Sequence, residues 1–361
     1  MPTFAIVGGG IAGLAAALAL APLGPVRVFE RRSAEAANAG AGIQLSPNAI
    51  KALRAIGAAD AVEAVATAPQ GLTVQTAGRR TPNVRLAYDA ALLARYGAPY
   101  RTASRSALHG ALLSVAAAHP AITLITDTPI TRLSGTATGV ALGDGEADFV
   151  VVADGVNSGL RRALLGDGAR EAPHIAWRGI GAVPGNDTTL TMADGLHVVR
   201  YALSDGRDNV VLIAPRRVRH PDALAGRPIA KTLGLVSGWT PWPLSVQPRH
   251  RYGFGTIAFA GDAAHAMLPF LAQGGAMALE DAAVLAASVR RHGATPAATE
   301  AYAAARAPRT KRMASQSDRQ GFVYHLPMPL SYARDLAMRR LGPAGILSRV
   351  DWIYGWAPPE G

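Results

Sequence analysis

The chain has 361 residues, 49% of them apolar, and a net charge of +11 carried mostly by arginine. That length and apolar content describe a folded chain with one large or two medium cores, and they exclude a disordered one. No cysteine is present, which excludes disulfide frameworks, cysteine-ligated zinc, iron–sulfur clusters and dithiol redox chemistry.

The N-terminal run Phe4–Val7 reads as a short strand. It enters Gly8-Gly9-Gly10-Ile11-Ala12-Gly13, and a long Ala/Leu helix follows to about Leu23. A second strand, Val26–Phe29, ends at Glu30-Arg31. This is G-x-G-x-x-G between a strand and a helix, with an acid about twenty residues on, the pattern of a dinucleotide-binding turn. Gly8 permits the tight turn, Gly10 lets backbone approach a pyrophosphate, and Gly13 lets helix and strand pack closely. Glu30 can accept from ribose hydroxyls. A second fingerprint is absent: Gly143–Gly145 and Gly342–Gly345 lack the strand–helix context. The apolar run Ile11–Leu23 is too short to span a membrane and has no basic leader, so a cytoplasmic protein without a signal peptide is expected. The Ala-rich patch Ala34–Ala41 reads as compositional bias.

Gly40–Asn48 leads into a helix, Ala49–Ile56, closed by Gly57, with Ser46 and Pro47 at its start. Leu72–Gln75 and Val84–Ala87 read as strands of a sheet away from the first. Arg105 stands just ahead of a helix, Ser106–Ala117, where it can reach a phosphate or simply be solvated. Ile122–Ile125 and Ile130–Leu133 read as strands. Phe149–Ala153 is a buried-type strand running into Asp154-Gly155, with Arg161-Arg162 beyond. An acid–Gly turn with basic residues one helical turn on suits a phosphate- or ribityl-facing loop, or an ordinary strand-to-helix turn capped by Asp154 or Ser158.

A strand-rich region follows, with Ile175–Val183, Leu196–Leu203 and Asn209–Ala214. His197, Val199 and Tyr201 fall on one face, because side chains alternate along a strand. A His and a Tyr on a sheet floor can bind or deprotonate an acidic hydroxyl. A core His beside a core Tyr has the same spacing, and spacing alone favours it. Ala223–Trp239 reads as helical, and Trp242–Val246 and Thr256–Ala260 as strands. Gly261-Asp262 then opens a loop containing Pro269, and Gly274-Gly275 starts a helix over Ala276–Val289. Backbone N–H groups at such a helix start suit an anionic partner. The remainder is mostly helical, punctuated by Pro308, Pro327, Pro329 and Pro343.

Three motifs now stand in order: GGGIAG with Glu30, ADG at Ala153–Gly155, and GDAAH at Gly261–His265. Together with GAGIQLSPNA, WRG at Trp177–Gly179, and Tyr302, Arg306 and Arg309, they resemble the single-component FAD-dependent aromatic hydroxylases of the para-hydroxybenzoate hydroxylase fold. The likeness is to the salicylate hydroxylase, 3-hydroxybenzoate 6-hydroxylase and 6-hydroxynicotinate 3-monooxygenase branch, and it runs almost end to end. It implies an α/β fold: a doubly wound Rossmann-type FAD domain (1–71, 105–174 and 251–290) interleaved with an antiparallel substrate sheet (72–104 and 175–250), plus C-terminal helices (291–361). It implies that Gly8, Gly10, Ala12 and Gly13 hold the FAD pyrophosphate, with Glu30 and Arg31 at the adenosine ribose. Arg105 and Asp262 would contact phosphates and ribityl chain. Asp154 would serve FAD and NAD(P)H, and Gly274 and Gly275 the flavin pyrimidine.

The same resemblance implies that His197 and Tyr201 bind or activate a phenol, and that Gln44, Pro269 and Arg178 line the pocket. Arg178 and Arg200 are the candidates for an acid partner. Pro269 stands where the 3-hydroxybenzoate 6-hydroxylase branch tends to carry Gln, which weighs against that substrate. AQGGAMALED replaces the GQGANQAIED of many relatives, and the surviving glycine keeps flavin binding. The implied activity is NAD(P)H-consuming hydroxylation of a small aromatic, a hydroxy-aromatic acid above all, by O2 through a flavin C4a-hydroperoxide. Partners would be that substrate, O2 and NAD(P)H, with no nucleic acid or membrane span, in a monomer or homodimer. A same-fold epoxidase, a urate-type or antibiotic-modifying oxygenase, and a non-oxygenating flavoprotein remain as alternatives.

Overall fold

The computed structural model describes residues 1–33, 42–136, 139–143, 145–182 and 185–359. The patch Ala34–Ala41 and the end of the expected strand at Val183 lie outside the described residues. Strands in chain order are β1 (Phe4–Val7), β2 (Val26–Phe29), β3 (Gly42–Leu45), β4 (Gly71–Thr76), β5 (Val84–Ala87), β6 (Arg101–Ser104), β7 (Ile122–Ile125), β8 (Leu133–Gly135) and β9 (Val140–Leu142). Then come β10 (Gly145–Ala147), β11 (Phe149–Val152), β12 (Arg170–Gly181), β13 (Thr188–Ala193), β14 (Leu196–Ala202), β15 (Asp208–Pro215), β16 (Val236–Val246), β17 (Gly253–Phe254) and β18 (Ile257–Phe259).

A first sheet has the order β17-β18-β11-β1-β2-β7 and is parallel except for the β17–β18 hairpin. Its central strands are continuous apolar runs: every residue of Phe4–Val7 and Phe149–Val152 is buried, as a parallel sheet covered on both faces requires. The helix Ile11–Leu20 packs between this sheet and the helix Gly274–His292. Five of the ten residues of Ile11–Leu20 are alanines, which bury little, so Leu14, Leu18 and Leu20 supply most of the drive, about 1.5–3 kcal/mol each.

The second sheet has the order β16-β12-β15-β14-β13-β4-β5. Its strands are antiparallel except for the parallel β13–β4 pair. Cross-strand partners share a face, so register maps the surface. One row runs Thr240, Arg178, Val211, Val199, Leu190, Val74, Val84. A parallel row runs Trp242, Ala176, Ile213, His197, Met192. Two small pairings complete the fold, β3 with β6 and β8–β10.

Several expectations need correction. The strand expected at Ile130–Leu133 begins only at Leu133. The helical reading of Ala223–Trp239 holds only for Pro221–Leu224 and Ala230–Leu233; from Val236 the chain is β16. Antiparallel pairing to β12, with Ser237 opposite Ile180 and Thr240 opposite Arg178, overrides the local pattern there. Pro308 does not interrupt its helix, which continues over Pro296–Tyr324. Buried ion pairs from Arg306 and Arg309 hold it on either side of the proline. Pro343 does mark a break, because Gly342 before it has φ +61° inside Leu330–Ser348.

Candidate functional site

A cavity of about 340 Å³ runs from the glycine-rich turn to the second sheet. Three of the four glycines of the turn differ in what surrounds them. Gly8 has φ +108°, and a Cβ there would lie 2.5 Å from the Ala153 carbonyl oxygen. A Cβ on Gly13 would lie 1.8 Å from the Gly8 carbonyl oxygen. A Cβ on Gly10 would meet nothing within 4 Å, so Gly10 faces open space at the start of the helix. Gly10 and Ala12 line the cavity; Gly8 and Gly13 shape it from behind.

Glu30 sits beside the turn, not in the cavity wall. Its Oε2 accepts from Gly9 N at 2.8 Å and its Oε1 from Arg32 N at 3.0 Å. Burial opposes its charge, yet these backbone donors and the Arg32 guanidinium hold its carboxyl below the usual range. Arg31 is exposed and does not line the cavity, though its charge opposes the rise of the Asp154 carboxyl behind the wall. Arg105, the first residue of the helix Arg105–Ala118, does line the cavity. Asp154 lies behind Ala153 and Gly155; burial raises its carboxyl, and its Oδ1 has no hydrogen-bond partner among the described residues.

The loop after β18 closes the other side. Gly261 has φ +59°, and a Cβ there would touch Ala12 Cβ at 2.7 Å, so the two glycine turns pack on one another. Asp262, Pro269, Gly274 and Gly275 all line the cavity. Gly274 opens the helix Gly274–His292 with open space above it, and a Cβ on Gly275 would strike Ile43 Cδ1 at 2.5 Å.

A buried ionic network, unforeseen in the sequence as a unit, fixes this loop. Asp281 Oδ2 accepts from Gly261 N at 2.8 Å and pairs with His265 Nε2 at 2.6 Å. Arg306 Nε reaches Asp281 Oδ1, and one of its terminal nitrogens reaches Glu280 Oε2, both at 2.7 Å. Arg309 and Asn48 also donate to Glu280. Two adjacent acids at the end of the loop–helix stretch, and two arginines three apart downstream, were the available signal. Arg161 belongs to the same class of fixture. It is fully buried and donates to Asp167, to the carbonyls of Ala263 and Ala264, and to Arg249 O. It therefore clamps the loop and does not face a phosphate, while Ser158 caps the helix Gly159–Leu165.

At the sheet end, His197, Val199 and Tyr201 line the cavity from one face of β14, with Arg178 across β15. Tyr201 packs under Gly42, whose missing side chain admits the ring at 2.4 Å from the ideal Cβ position. Burial raises the Tyr201 hydroxyl, and Arg178 and Arg105 oppose that rise. His197 Nδ1 lies 2.9 Å from His325 Nε2, and His174 packs 5.4 Å from His325, ring centre to ring centre. Burial, then the neighbouring His325 and His174, push His197 well below the usual histidine range. His174 and His325, far away in sequence, were not foreseen. Arg178 stacks over Trp242 at 4.3 Å and is brought down to about 10 by burial, then by Arg105. Arg200 is on the opposite face, bound to Asp208 at 2.8 Å, and so is not a candidate for the acid partner. Gln44 accepts from the Tyr100 hydroxyl at 2.7 Å.

A family model described as an FAD binding domain matches residues 2–227 and 227–317. The chain is 34% identical over 392 residues to 3-amino-4-hydroxybenzoate 2-monooxygenase PtnB3 of Streptomyces platensis, covering 100% of this chain and 98% of that protein. The chain belongs to the FAD-dependent aromatic hydroxylases. The hydroxylase is also 29% identical over 380 residues to 3-hydroxybenzoate 6-hydroxylase of Klebsiella oxytoca, covering 97% of this chain and 96% of that one. Its fold matches that of Klebsiella pneumoniae HpxO complexed with FAD and uric acid, with a TM-score of 0.85, 23% identity, and coverage of 98% and 96%. It is thus an FAD-dependent monooxygenase that takes reducing equivalents from NAD(P)H. The residues present fit the cofactor. Gly10 and Gly274 leave room for close approach, the buried Asp154 Oδ1 lacks a donor among the described residues that a hydroxyl chain can supply, and the Arg105 cation lines the cavity. No helix among the described residues is long and apolar enough to cross a membrane.

Proposed function

We propose that the hydroxylase acts on a hydroxy-aromatic acid whose phenol meets His197 and Tyr201. The observation that carries this is the His197–His325 contact. In the tautomer that carries the proton on His197 Nδ1, that N–H donates to His325 Nε2 and His197 Nε2 keeps a lone pair for a ligand. Burial keeps that imidazole neutral at physiological pH. A phenol brought against it gives up its proton to Nε2, and the phenolate formed alongside stabilises the imidazolium that results. Tyr201 donates to the same oxygen. Loss of the proton makes the ring electron-rich, ready for an electrophilic oxygen.

Arg178 is the cation for the carboxylate: it makes no ion pair among the described residues and sits two strands across from His197 on the shared face. The named relatives act on ring acids of this kind. Gly8, Gly10, Ala12 and Gly13 would hold the pyrophosphate of FAD, Glu30 and Arg31 its ribose, and Arg105, Asp154 and Asp262 its phosphates and ribityl chain. Gly274 and Gly275 would present helix-start N–H groups to the pyrimidine edge. FAD, when bound, supplies the activation of O2 and the oxygen transfer.

The test is NADH and NADPH oxidation by the flavin-loaded protein with a panel of hydroxy-aromatic acids, peroxide being measured alongside. Stimulated, low-peroxide turnover is expected, with His197→Ala and Tyr201→Phe slowed or uncoupled while FAD stays bound. Normal coupled turnover in both variants would return the pair to core packing.

A further inference from the structure

We infer that the substrate carries an uncharged apolar arm, seated in a second chamber that opens beside the ring site. This rests on the reading above for where the ring lies. The second chamber is about 650 Å³, nearly twice the first, and within the range that buries a drug-sized molecule. Gln44, Val199, Pro269 and Ala272 line both cavities, so the two are contiguous. The register explains why. β14 is the dividing strand: the first cavity is floored by β16, β12, β15 and β14, and the second by the continuation of the same face over β13, β4 and β5. Val199, Leu190, Val74 and Val84 form one unbroken apolar row out of the ring site.

The far wall is the helix Leu330–Ser348, whose Ala333, Ala337 and Met338 face the chamber. Of its two lining cations, the buried one, Arg334, does not offer a charge to a ligand. Arg334 is buried and already donates to Asp335, to the carbonyls of Val323 and Tyr324, and to Thr76 Oγ1. Arg349 is exposed. The rim is apolar, with Phe322, Leu330 and Leu341 exposed by 71%, 54% and 39%. From Val199 to Val84 this face crosses three strand spacings, about 14 Å, farther than one ring held at His197 and Tyr201 extends. An arm of alkyl or aryl carbon on the ring fills it without desolvating a charge.

The experiment uses the FAD-loaded protein and hydroxybenzoates bearing straight alkyl chains of increasing length, with Kd by calorimetry and coupled turnover measured in parallel. Kd should fall roughly three- to fourfold per added methylene until the chamber is full, as about 0.8 kcal/mol per buried methylene gives. Ala337→Trp, or Ala333→Phe should the first fail to fold, should flatten that dependence while the flavin spectrum is retained. A Kd independent of chain length would overturn the inference, whatever the turnover. A falling Kd without coupled turnover of any member would support the chamber and overturn the phenol chemistry instead.

Discussion

Replacing Arg306 by methionine tests whether the buried network holds the flavin loop. Arg306, Glu280 and Asp281 are 1%, 0% and 0% exposed, so the change removes a desolvated cation from between two desolvated carboxylates. Breaking a buried ion pair by deleting one partner costs about 3–5 kcal/mol. Here the lower end applies, because Glu280 keeps Arg309 and Asn48, and Asp281 keeps His265 and Gly261 N. About 3 kcal/mol is a large fraction of the roughly 5–15 kcal/mol that holds a domain together. Urea unfolding of the FAD-loaded variant, followed by circular dichroism, should show that loss. Flavin fluorescence should show earlier cofactor release, since Asp281 anchors the backbone one residue before Asp262. A loss below about 1 kcal/mol with unaltered FAD affinity would refute the reasoning.

The glycine turn gives a paired test. Gly10→Ala should fold normally but retain FAD poorly, because its Cβ meets only open space, whereas Gly13→Ala should fail to give soluble folded protein, because its Cβ would lie 1.8 Å from Gly8 O; circular dichroism and the visible spectrum separate the two. Asp262→Ala should weaken FAD at least tenfold, as loss of a charged hydrogen-bond acceptor worth about 1.5–3 kcal/mol implies, and a fully flavinated variant of unchanged affinity would sink that assignment. The histidine cluster sets a pH dependence. His325 is brought from the ordinary 6.5 to about 4 by burial, then by His174 and Arg334, so the unfolded chain binds more protons between those values. Stability should therefore be fully present above about pH 6.5 and fall as pH drops toward 4; His325→Phe should show a shallower fall in urea midpoint between pH 7 and 5.

What could be read from sequence was what local physics dictates. GGGIAG was legible because G-x-G-x-x-G between a strand and a helix is a local pattern, though the Ala153 carbonyl that constrains Gly8 was not, and His197 and Tyr201 because strand alternation puts them on one face. The role of His325 was illegible: it lies 128 residues from His197, and no periodicity links them. Arg161 was misread for the same reason, since nothing near it in sequence announces the carbonyls of Ala263 and Ala264. Val236–Trp239 was taken as helix because its register with β12 is a tertiary fact.

The order of the first sheet has a consequence for synthesis. β1 is flanked by β2 and β11, but β11 remains an open edge until β18 emerges about 105 residues after it. At ribosomal speeds of about 5–20 residues per second, that is roughly 5–20 s during which a fully apolar strand waits with one row of backbone groups unpaired. Chaperone dependence of yield, and its relief by slower growth temperature, should accordingly track the delivery of Ile257–Phe259 more than the stability of the finished enzyme.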